Sequence, residues 1–393
     1  MKKKLLLTSA FTLISSLAMQ AQTIVSTTSE NKNVVLEEFT GINCVYCPQG
    51  HAIAESIKSA NPNDVFLINI HTGGFATPSS GQPDFTTSFG AALATQSGLT
   101  GYPSGTVNRK IFSGTSTALS RGDWTNAANQ VLTESAYVNV ATQASVDINT
   151  REVTVLVEAY YTGTGNVNNK LNLALLQNNT EGPQTGGNMG NSYMHQHRLV
   201  HLITGQWGED ITTTSQGSFI SKTYTYTIPY VYNSIPVELS ELEVVAYVTE
   251  DTQEIINGHG TDVTYSSNLS NDASLGYISE FTASCEDNNI APEIVITNNG
   301  NNSITSLNID YSINNGTLFT YNWSGNLGLA EAEKITLPQQ TYTLQSNNTV
   351  NVSLNINDDD LTNNDISNIF VKPEGTRNIT VDIRTDYYPG EIT

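Results

Sequence analysis

The sequence predicts an α/β domain followed by all-β sandwich modules in an exported chain. Up to about residue 135, short apolar strands alternate with helical segments, as in domains built from βαβ connections. From about Tyr137 onward, apolar and polar residues alternate with a period of two between Asn- and Gly-rich turns. Many such strands with almost no helical pattern are typical of β-sandwiches. At roughly 100–200 residues per domain, 393 residues suggest two to four domains.

Residues 1–21 are predicted to be a signal peptide. Three lysines, Lys2 to Lys4, precede an apolar stretch that contains several Thr and Ser residues and is poorly suited to span a membrane. Cleavage is expected after Ala21, with Ala18 as the alternative. No later segment reaches the roughly 18 apolar residues that a spanning helix needs, so no transmembrane segment is predicted after signal removal. We therefore expect an exported protein of the outer membrane, cell surface or extracellular space.

The charge and the cysteine count exclude several classes of function. The formal net charge is −21, and the signal peptide contributes three of the 16 basic residues against 37 acidic ones. Such an acidic chain is not suited to bind nucleic acid or anionic membrane surfaces. The charge favours solubility and the binding of cations, and a generic secreted surface is the alternative explanation. Only three cysteines occur, so the chain is not held together by a framework of disulfides.

The α/β domain is predicted over residues 22–135. The expected elements are a strand at Val34 to Thr40, a buried strand at Val65 to Ile70, a helix from Phe85 to Gly98 and a strand at Thr106. Between the first two strands, the stretch Cys44 to His51 leads into a helix over Ala52 to Lys58, which Asn61 to Asn63 end. The polar loop from Thr72 to Pro83 is an insertion that could gate a site at the strand ends.

Two β-sandwich modules are predicted, over residues 136–272 and 279–372. The Asn-rich joint from Tyr265 to Asp272 is the expected boundary between them. Residues 373–393 contain a further strand-like stretch, Ile379 to Arg384, after which the sequence stops without a closing element. We expect this to be the start of a further, truncated β element and the natural chain to continue.

Cys44 and Cys47 form a Cys-x-x-Cys motif between a predicted strand and a predicted helix. Two such cysteines can close a disulfide, and the helix start stabilises a thiolate at the first of them. The thiolate is the attacking species in thiol–disulfide exchange, and the second cysteine resolves the mixed disulfide. Zinc binding needs two more ligands at a matching site, whereas Cys285 stands alone far along the chain. A static structural disulfide is the other alternative.

The segment from Glu38 to Cys47 resembles the active-site strand and turn of the thioredoxin superfamily. An acidic residue commonly lies six positions before the first cysteine there, followed by an aromatic residue, as Glu38 and Phe39 do here. Tyr102-Pro103 resembles the superfamily's cis-proline loop. The resemblance implies that Cys44 attacks, Cys47 resolves, Glu38 accepts a proton from Cys47, and Tyr102 and Pro103 dock the substrate backbone. Asn43 departs from the pattern, because a Trp commonly precedes the first cysteine.

The wider set of motifs resembles the 28-kilodalton outer membrane protein family of Bacteroidetes. It comprises the signal peptide, Glu37 to Cys47, Asn69 to Thr72, Gly101 to Arg109 and Tyr193 to Arg198. The resemblance covers roughly Asn31 to Asp262 and implies a thioredoxin-like domain followed by an immunoglobulin-like β domain. The block after Ser279 resembles β modules of type IX secreted proteins.

The function predicted from these motifs is thiol–disulfide exchange, a possible oxidoreductase activity. Its substrates or binding partners would be envelope or extracellular proteins. The alternative is a non-enzymatic surface interaction or adhesion protein with a structural Cys44–Cys47 disulfide. No cofactor beyond that disulfide is predicted.

Further candidate residues carry weaker expectations. His195, His197 and His201 would share one face of a strand and could hold zinc or copper, or be core residues. His71 could tune Cys44 or cap its strand, and His51 is expected to be solvated. The oxygen-rich loop from Asn357 makes Asp358, Asp360 and Asp365 calcium candidates, against a plain acidic turn. Cys285 is expected to be a buried thiol.

Overall fold

The computed structural model describes residues 23–166, 168–279 and 288–371. Within these ranges strands dominate, with twenty-six strands and three α-helices. The predicted signal peptide, Cys285 and the predicted truncated element after residue 372 lie outside the described residues. No helix within the described ranges has the length and apolar character needed to cross a membrane.

The first part of the chain contains all three helices. Its elements are β1 (Val34–Thr40), α1 (Cys47–Ala60), β2 (Val65–His71), α2 (Gly90–Ser97), β3 (Ser104–Val107), β4 (Leu119–Ser120) and α3 (Trp124–Val131). β1 has the predicted bounds, whereas α2 begins five residues later than expected. The reason is a turn before it, in which the Asp84 carboxylate accepts hydrogen bonds from the backbone N–H and hydroxyl of Thr86.

Helix α3 was not predicted. Its buried residues are Trp124, Ala127, Ala128 and Val131, which form one apolar stripe with the spacing of a helix. Two of these four residues are alanines, so the stripe is weak as a hydrophobic pattern in the sequence. The core that α3 joins lies between α1, α3 and one face of β1 and β2.

β1 lies at the centre of the first part. It pairs in parallel with β2 and antiparallel with β3, and β3 pairs with β4. Every residue of β1 and β2 is buried, because apolar cores cover both faces of these strands. The second of these cores includes Phe39 and Ile70, Leu93 of α2 and residues of the following β region.

The β region that follows forms a sandwich. Its strands are β5 (Val138–Asp147), β6 (Glu152–Tyr161), β7 (Asn169–Gln177), β8 (Thr180–Gly182), β9 (Tyr193–His195), β10 (Arg198–Leu202), β11 (Glu209–Ile211), β12 (Phe219–Thr227), β13 (Val231–Tyr232), β14 (Ile235–Pro236), β15 (Leu242–Glu250), β16 (Ile255–Asp262) and β17 (Thr264–Ser266). The sheet β12-β6-β5-β17 shares an apolar core with strands β7, β15 and β16.

The two parts share one sheet. β10 pairs with β7 on one side and with β2 on the other, where Arg198 lies opposite Asn69. The result is a nine-stranded sheet with the path β16-β15-β7-β10-β2-β1-β3-β4, with β11 added at β7. The expected boundary near residue 136 therefore falls between two parts of one continuous hydrogen-bonded layer.

A second β module follows residue 272. Its strands are β18 (Ala273–Ile278), β19 (Asn289–Ile290), β20 (Glu293–Asn298), β21 (Ile304–Ile313), β22 (Phe319–Leu327), β23 (Ala332–Thr336), β24 (Gln340–Thr341), β25 (Asn347–Leu354) and β26 (Asp365–Val371). The sheets β18-β20-β23 and β22-β21-β25-β26 enclose a separate apolar core that contains Trp323.

Candidate functional site

Cys44 and Cys47 lie between the end of β1 and the start of α1, and their sulfurs are bonded to each other. In this form they are not zinc ligands. Pro48 occupies the first turn of α1. A backbone N–H at this position would have no partner within the helix, so the N–H that proline lacks costs no hydrogen bond. Cys44 is 2% exposed and Cys47 is fully buried, while the intervening Val45 and Tyr46 are 56% and 62% exposed. The motif therefore presents its two middle residues to solvent and its sulfurs to the interior.

Glu38 lies behind the motif, on β1. It is fully buried, and neither of its carboxylate oxygens has a hydrogen-bond partner. A Cβ built on Gly50 of α1 would stand 2.5 Å from Glu38 Oε1 and 3.1 Å from the ring of Pro103. Glycine at position 50 thus allows α1 to approach both groups. The Tyr102–Pro103 peptide is cis. Glu38 and Pro103 both lie next to Gly50 of the helix.

Burial raises the pKa of Glu38 well above its usual range, and the negative charge of Glu55 adds to this effect. A carboxyl group in this setting takes up a proton more readily than an exposed one and can act as a proton acceptor. Burial also raises the pKa of Tyr102.

His51 is buried, so the expectation that it is solvated is wrong. Its Nε2 lies 2.9 Å from Thr40 Oγ1 and 3.7 Å from Glu38 Oε1, and its Nδ1 lies 2.7 Å from the hydroxyl of Tyr193. Burial lowers the pKa of His51 to about 4, which leaves the ring neutral at physiological pH. Its partner Tyr193 is 142 residues away in the chain. The position of His51 in the predicted helix gives no information about this partner, which is why the prediction failed.

His71 and His195 lie next to this group in an aromatic cluster. Their ring centroids are 5.1 Å apart, and both rings meet Phe85 edge-on. Burial lowers the pKa of His71 well below its usual range and that of His195 to about 3. Neither ring nitrogen of His71 has a hydrogen-bond partner. A neutral, buried His71 packs behind the site.

The three histidines at 195, 197 and 201 do not converge. His197 has a φ of +51°, which interrupts the chain between β9 and β10. Its ring lies between Glu243 (2.6 Å) and Glu55 (3.1 Å), whereas His201 stacks on Tyr226. Although burial opposes the charge, the hydrogen bonds to the two carboxylates raise the pKa of His197 to about 9.

The calcium candidates lie in the second module, where hydrogen bonds already occupy two of them. Asp358 accepts hydrogen bonds from the backbone of Ala273 and the amide of Asn364, and Asp360 caps a short 3₁₀ helix. Asp365 lies on β26 and is exposed. Among the described residues, no group of three or more His, Cys, Asp and Glu side chains is placed to hold a metal ion.

The loop from Thr72 to Pro83 lies on one side of the motif. The backbone N–H of Asn43 donates to the carbonyl of Phe75 (2.9 Å), and the Phe75 ring meets the Tyr102 ring edge-on. Phe75 is 47% exposed. Val45 and Tyr46 of the motif and Phe75 of this loop are exposed apolar side chains, and we call these three residues the exposed rim.

The sequence profile of the family "Outer membrane protein Omp28" matches residues 90–266. This match to an outer membrane protein family confirms the predicted location at the outer membrane or cell surface. No curated protein sequence matches the chain.

Solved structures show more distant similarity. HBP35 of Porphyromonas gingivalis has a TM-score of 0.49 at 19% identity, over 79% of this chain and 98% of that one. A domain of the outer membrane lipoprotein Omp28 from Porphyromonas gingivalis has a TM-score of 0.25 at 18% identity, over 34% and 100% of the two chains. A CARDB domain from Pyrococcus furiosus has a TM-score of 0.23 at 22% identity, over 27% and 94%.

Proposed function

We propose that the chain is a thiol–disulfide exchange protein of the cell envelope, with a thioredoxin-like first domain and an immunoglobulin-like sandwich. The observation that carries the proposal is the unpaired carboxyl of Glu38, buried behind the Cys44–Cys47 disulfide. An unpaired buried carboxylate costs stability. A role as proton acceptor in the reaction explains its presence, because perturbed titratable groups cluster at functional sites.

In the proposed reaction the protein in its dithiol form reduces a disulfide of another polypeptide. The Cys44 thiolate attacks one sulfur of that disulfide, which forms a mixed disulfide and releases the other sulfur as a thiolate. Glu38 then takes the proton of the Cys47 thiol. The Cys47 thiolate attacks Cys44 Sγ, which closes the Cys44–Cys47 bond and releases the second substrate thiolate. The two released thiolates take protons from solvent, and Glu38 returns its proton.

The substrates in this proposal are envelope or extracellular proteins. The exposed rim of Val45, Tyr46 and Phe75 offers apolar contact to a polypeptide next to its disulfide. Tyr102 and Pro103 would dock the substrate backbone. The sequence leaves the direction of electron flow open, and the same groups serve oxidation if the steps run in reverse.

A second candidate is a non-enzymatic surface interaction protein whose disulfide is structural. One observation favours it, since Cys44 is only 2% exposed. A sulfur with this little access to solvent cannot meet a substrate disulfide in the conformation described.

The test is reduction of insulin disulfides by the mature chain in the presence of a small dithiol, with Cys44→Ser as the control. The proposal expects turnover well above that of Cys44→Ser, and a lower rate for Glu38→Gln with an altered pH profile. Turnover no greater than that of Cys44→Ser would leave the interaction protein as the function.

A further inference from the structure

The segment between β8 and β9, residues 183–192, lies against the Cys-x-x-Cys motif. It comes from the sandwich and not from the part of the chain that carries the cysteines. From this placement we infer that residues 183–192 are a cap that controls which disulfides reach Cys44. The inference rests on the proposed function and adds a regulatory element to it.

Hydrogen bonds join the start of the cap to the backbone of residues 41–44. The side-chain amide of Gln184 donates to the carbonyls of Cys44 (2.9 Å) and Gly41 (3.2 Å). The backbone N–H of Thr185 donates to the carbonyl of Ile42 (2.7 Å). Gln184 is buried, and among the described residues the Gly41 carbonyl also accepts a hydrogen bond from the backbone N–H of Cys44 (3.0 Å).

Gly186 brings the cap into direct backbone contact with the motif. A Cβ at this position would stand 2.3 Å from the carbonyl oxygen of Val45, and its φ is +84°. Only glycine combines this close approach with this backbone conformation at little cost. The next residue, Gly187, lies against Pro48 in the same way, at 3.3 Å for a built Cβ.

The rest of the cap is held weakly. Residues 187–192 are exposed, and three of them also have positive φ, namely Gly187, Asn188 and Gly190. Segments with few buried contacts open locally at a small fraction of the global unfolding free energy. Residues 184–186 of the cap therefore contact the motif, whereas residues 187–192 have few contacts that hold them in place.

The consequence is a redox site whose accessibility depends on the sandwich. With the cap closed, Cys44 is buried although Val45 and Tyr46 are exposed. A polypeptide that docks on the exposed rim can displace residues 184–186 and form its own hydrogen bonds with the carbonyls of Ile42 and Cys44. A small disulfide that carries no polypeptide cannot form these hydrogen bonds, so nothing offsets the free energy that opening the cap requires.

Two matched glycines allow the test. Gly186→Ala places a methyl group against Val45, whereas a Cβ at Gly217, outside the cap, meets nothing within 4 Å although its φ of +87° is also positive. In the reduced mature chain, we expect Gly186→Ala to raise the alkylation rate of Cys44 by iodoacetamide about tenfold over wild type. Gly217→Ala, which introduces comparable backbone strain, is expected to stay within about twofold of wild type. Peptide mass spectrometry assigns the modification to Cys44.

Gln184→Ala provides an independent route to the open state, since it removes the side-chain bonds without touching the glycines. Faster alkylation in Gly186→Ala and Gln184→Ala supports the cap even if no variant reduces insulin, in which case the proposed function fails and the cap stands. Equal alkylation rates in wild type, Gly186→Ala and Gln184→Ala overturn the cap, whatever the activity. A rise in Gly217→Ala as large as in Gly186→Ala also overturns it, because backbone strain outside the cap would then explain the effect.

Discussion

Glu37 and Glu38 are neighbours on β1, and both are buried, at 1% and 0% exposure. Successive residues of a strand point to opposite faces, so the two carboxyl groups enter different environments. Glu37 accepts hydrogen bonds from Arg109 Nη2 (2.5 Å), Arg109 Nε (2.7 Å) and the hydroxyl of Thr106 (2.9 Å). Glu38 has no hydrogen-bond partner for either oxygen.

The difference separates a carboxylate that stabilises the fold from one that is available to accept a proton. A buried carboxylate that accepts two hydrogen bonds from one guanidinium holds β1 to the residues after β3. A buried carboxyl without a partner is ready to take a proton and weakens the fold when it is charged. Two adjacent residues of the same type can therefore have opposite effects on stability. Four predictions test this contrast between buried groups that have hydrogen-bond partners and buried groups that have none.

The largest effect is expected for Glu37→Gln. The substitution leaves the Arg109 guanidinium buried without a counter-charge, and we expect the free energy of unfolding to fall by about 3–5 kcal/mol. Urea unfolding of the mature chain measures it, with the exposed Glu152→Gln as the matched control. The double variant Glu37→Leu/Arg109→Met should recover most of the loss. A loss below about 1 kcal/mol in Glu37→Gln would contradict the structural role.

The same contrast holds among the histidines and predicts a pH dependence. His197 is paired with Glu243 and Glu55, which raises its pKa to about 9 in the folded chain. The resulting stabilisation is fully present below the unfolded pKa near 6.5 and is lost as the pH rises through 9. We expect a decline of up to about 3 kcal/mol over this window. His197→Gln should remove the decline, and an unchanged pH profile of this variant in urea unfolding would refute the assignment.

Glu38→Gln is expected to stabilise the fold. Because the folded pKa of Glu38 is raised, the unfolded chain loses this proton at lower pH than the folded chain, and stability falls as the pH rises above about 4.5. The neutral amide avoids this loss, so the gain should be near zero at pH 5 and of the order of 1 kcal/mol at pH 8. Unfolding at both pH values tests it. Destabilisation at pH 8 would show that the carboxylate has a partner after all.

Tyr193→Phe should have the smallest effect. It removes the hydroxyl bonded to His51 and should cost about 1 kcal/mol, the usual contribution of one hydrogen bond. Thermal unfolding measures the loss, and Tyr265→Phe at an exposed position serves as the control. A variant as stable as wild type would show that the bond adds nothing to the attachment of β9 to α1.

Local patterns predicted the parts of the fold that local forces determine. The apolar run of β1 and the sequence Cys-x-x-Cys-Pro identified the strand and the helix start correctly. Glu38 and cis-Pro103 both lie beside Gly50 of α1. Helix α3 was missed because two of its four buried residues are alanines, which carry little hydrophobic signal.

Long-range contacts account for the remaining differences. The burial of His51 depends on Tyr193, and the pairing of Glu37 depends on Arg109, 72 residues further on. His197 cannot share a face with His195 and His201, because its positive φ rotates the chain between two strands. No spacing in the sequence reveals which distant side chain will occupy such a place. The contact between residues 183–192 and the Cys-x-x-Cys motif was missed for the same reason. The loop from Thr72 to Pro83 was predicted to gate the site instead.

The continuous nine-stranded sheet has a practical consequence for dissecting the protein. A fragment that ends at residue 135 would lose β10 and leave β2 as an open edge of seven consecutive buried residues, Val65–His71. Bare hydrophobic edges of this kind recruit other strands and lead to aggregation. The shortest fragment worth expressing therefore runs through Ser266, the end of the last sandwich strand. Shuffling the cysteine-bearing part onto another protein would also need a strand to replace β10, so these two parts are expected to be inherited together.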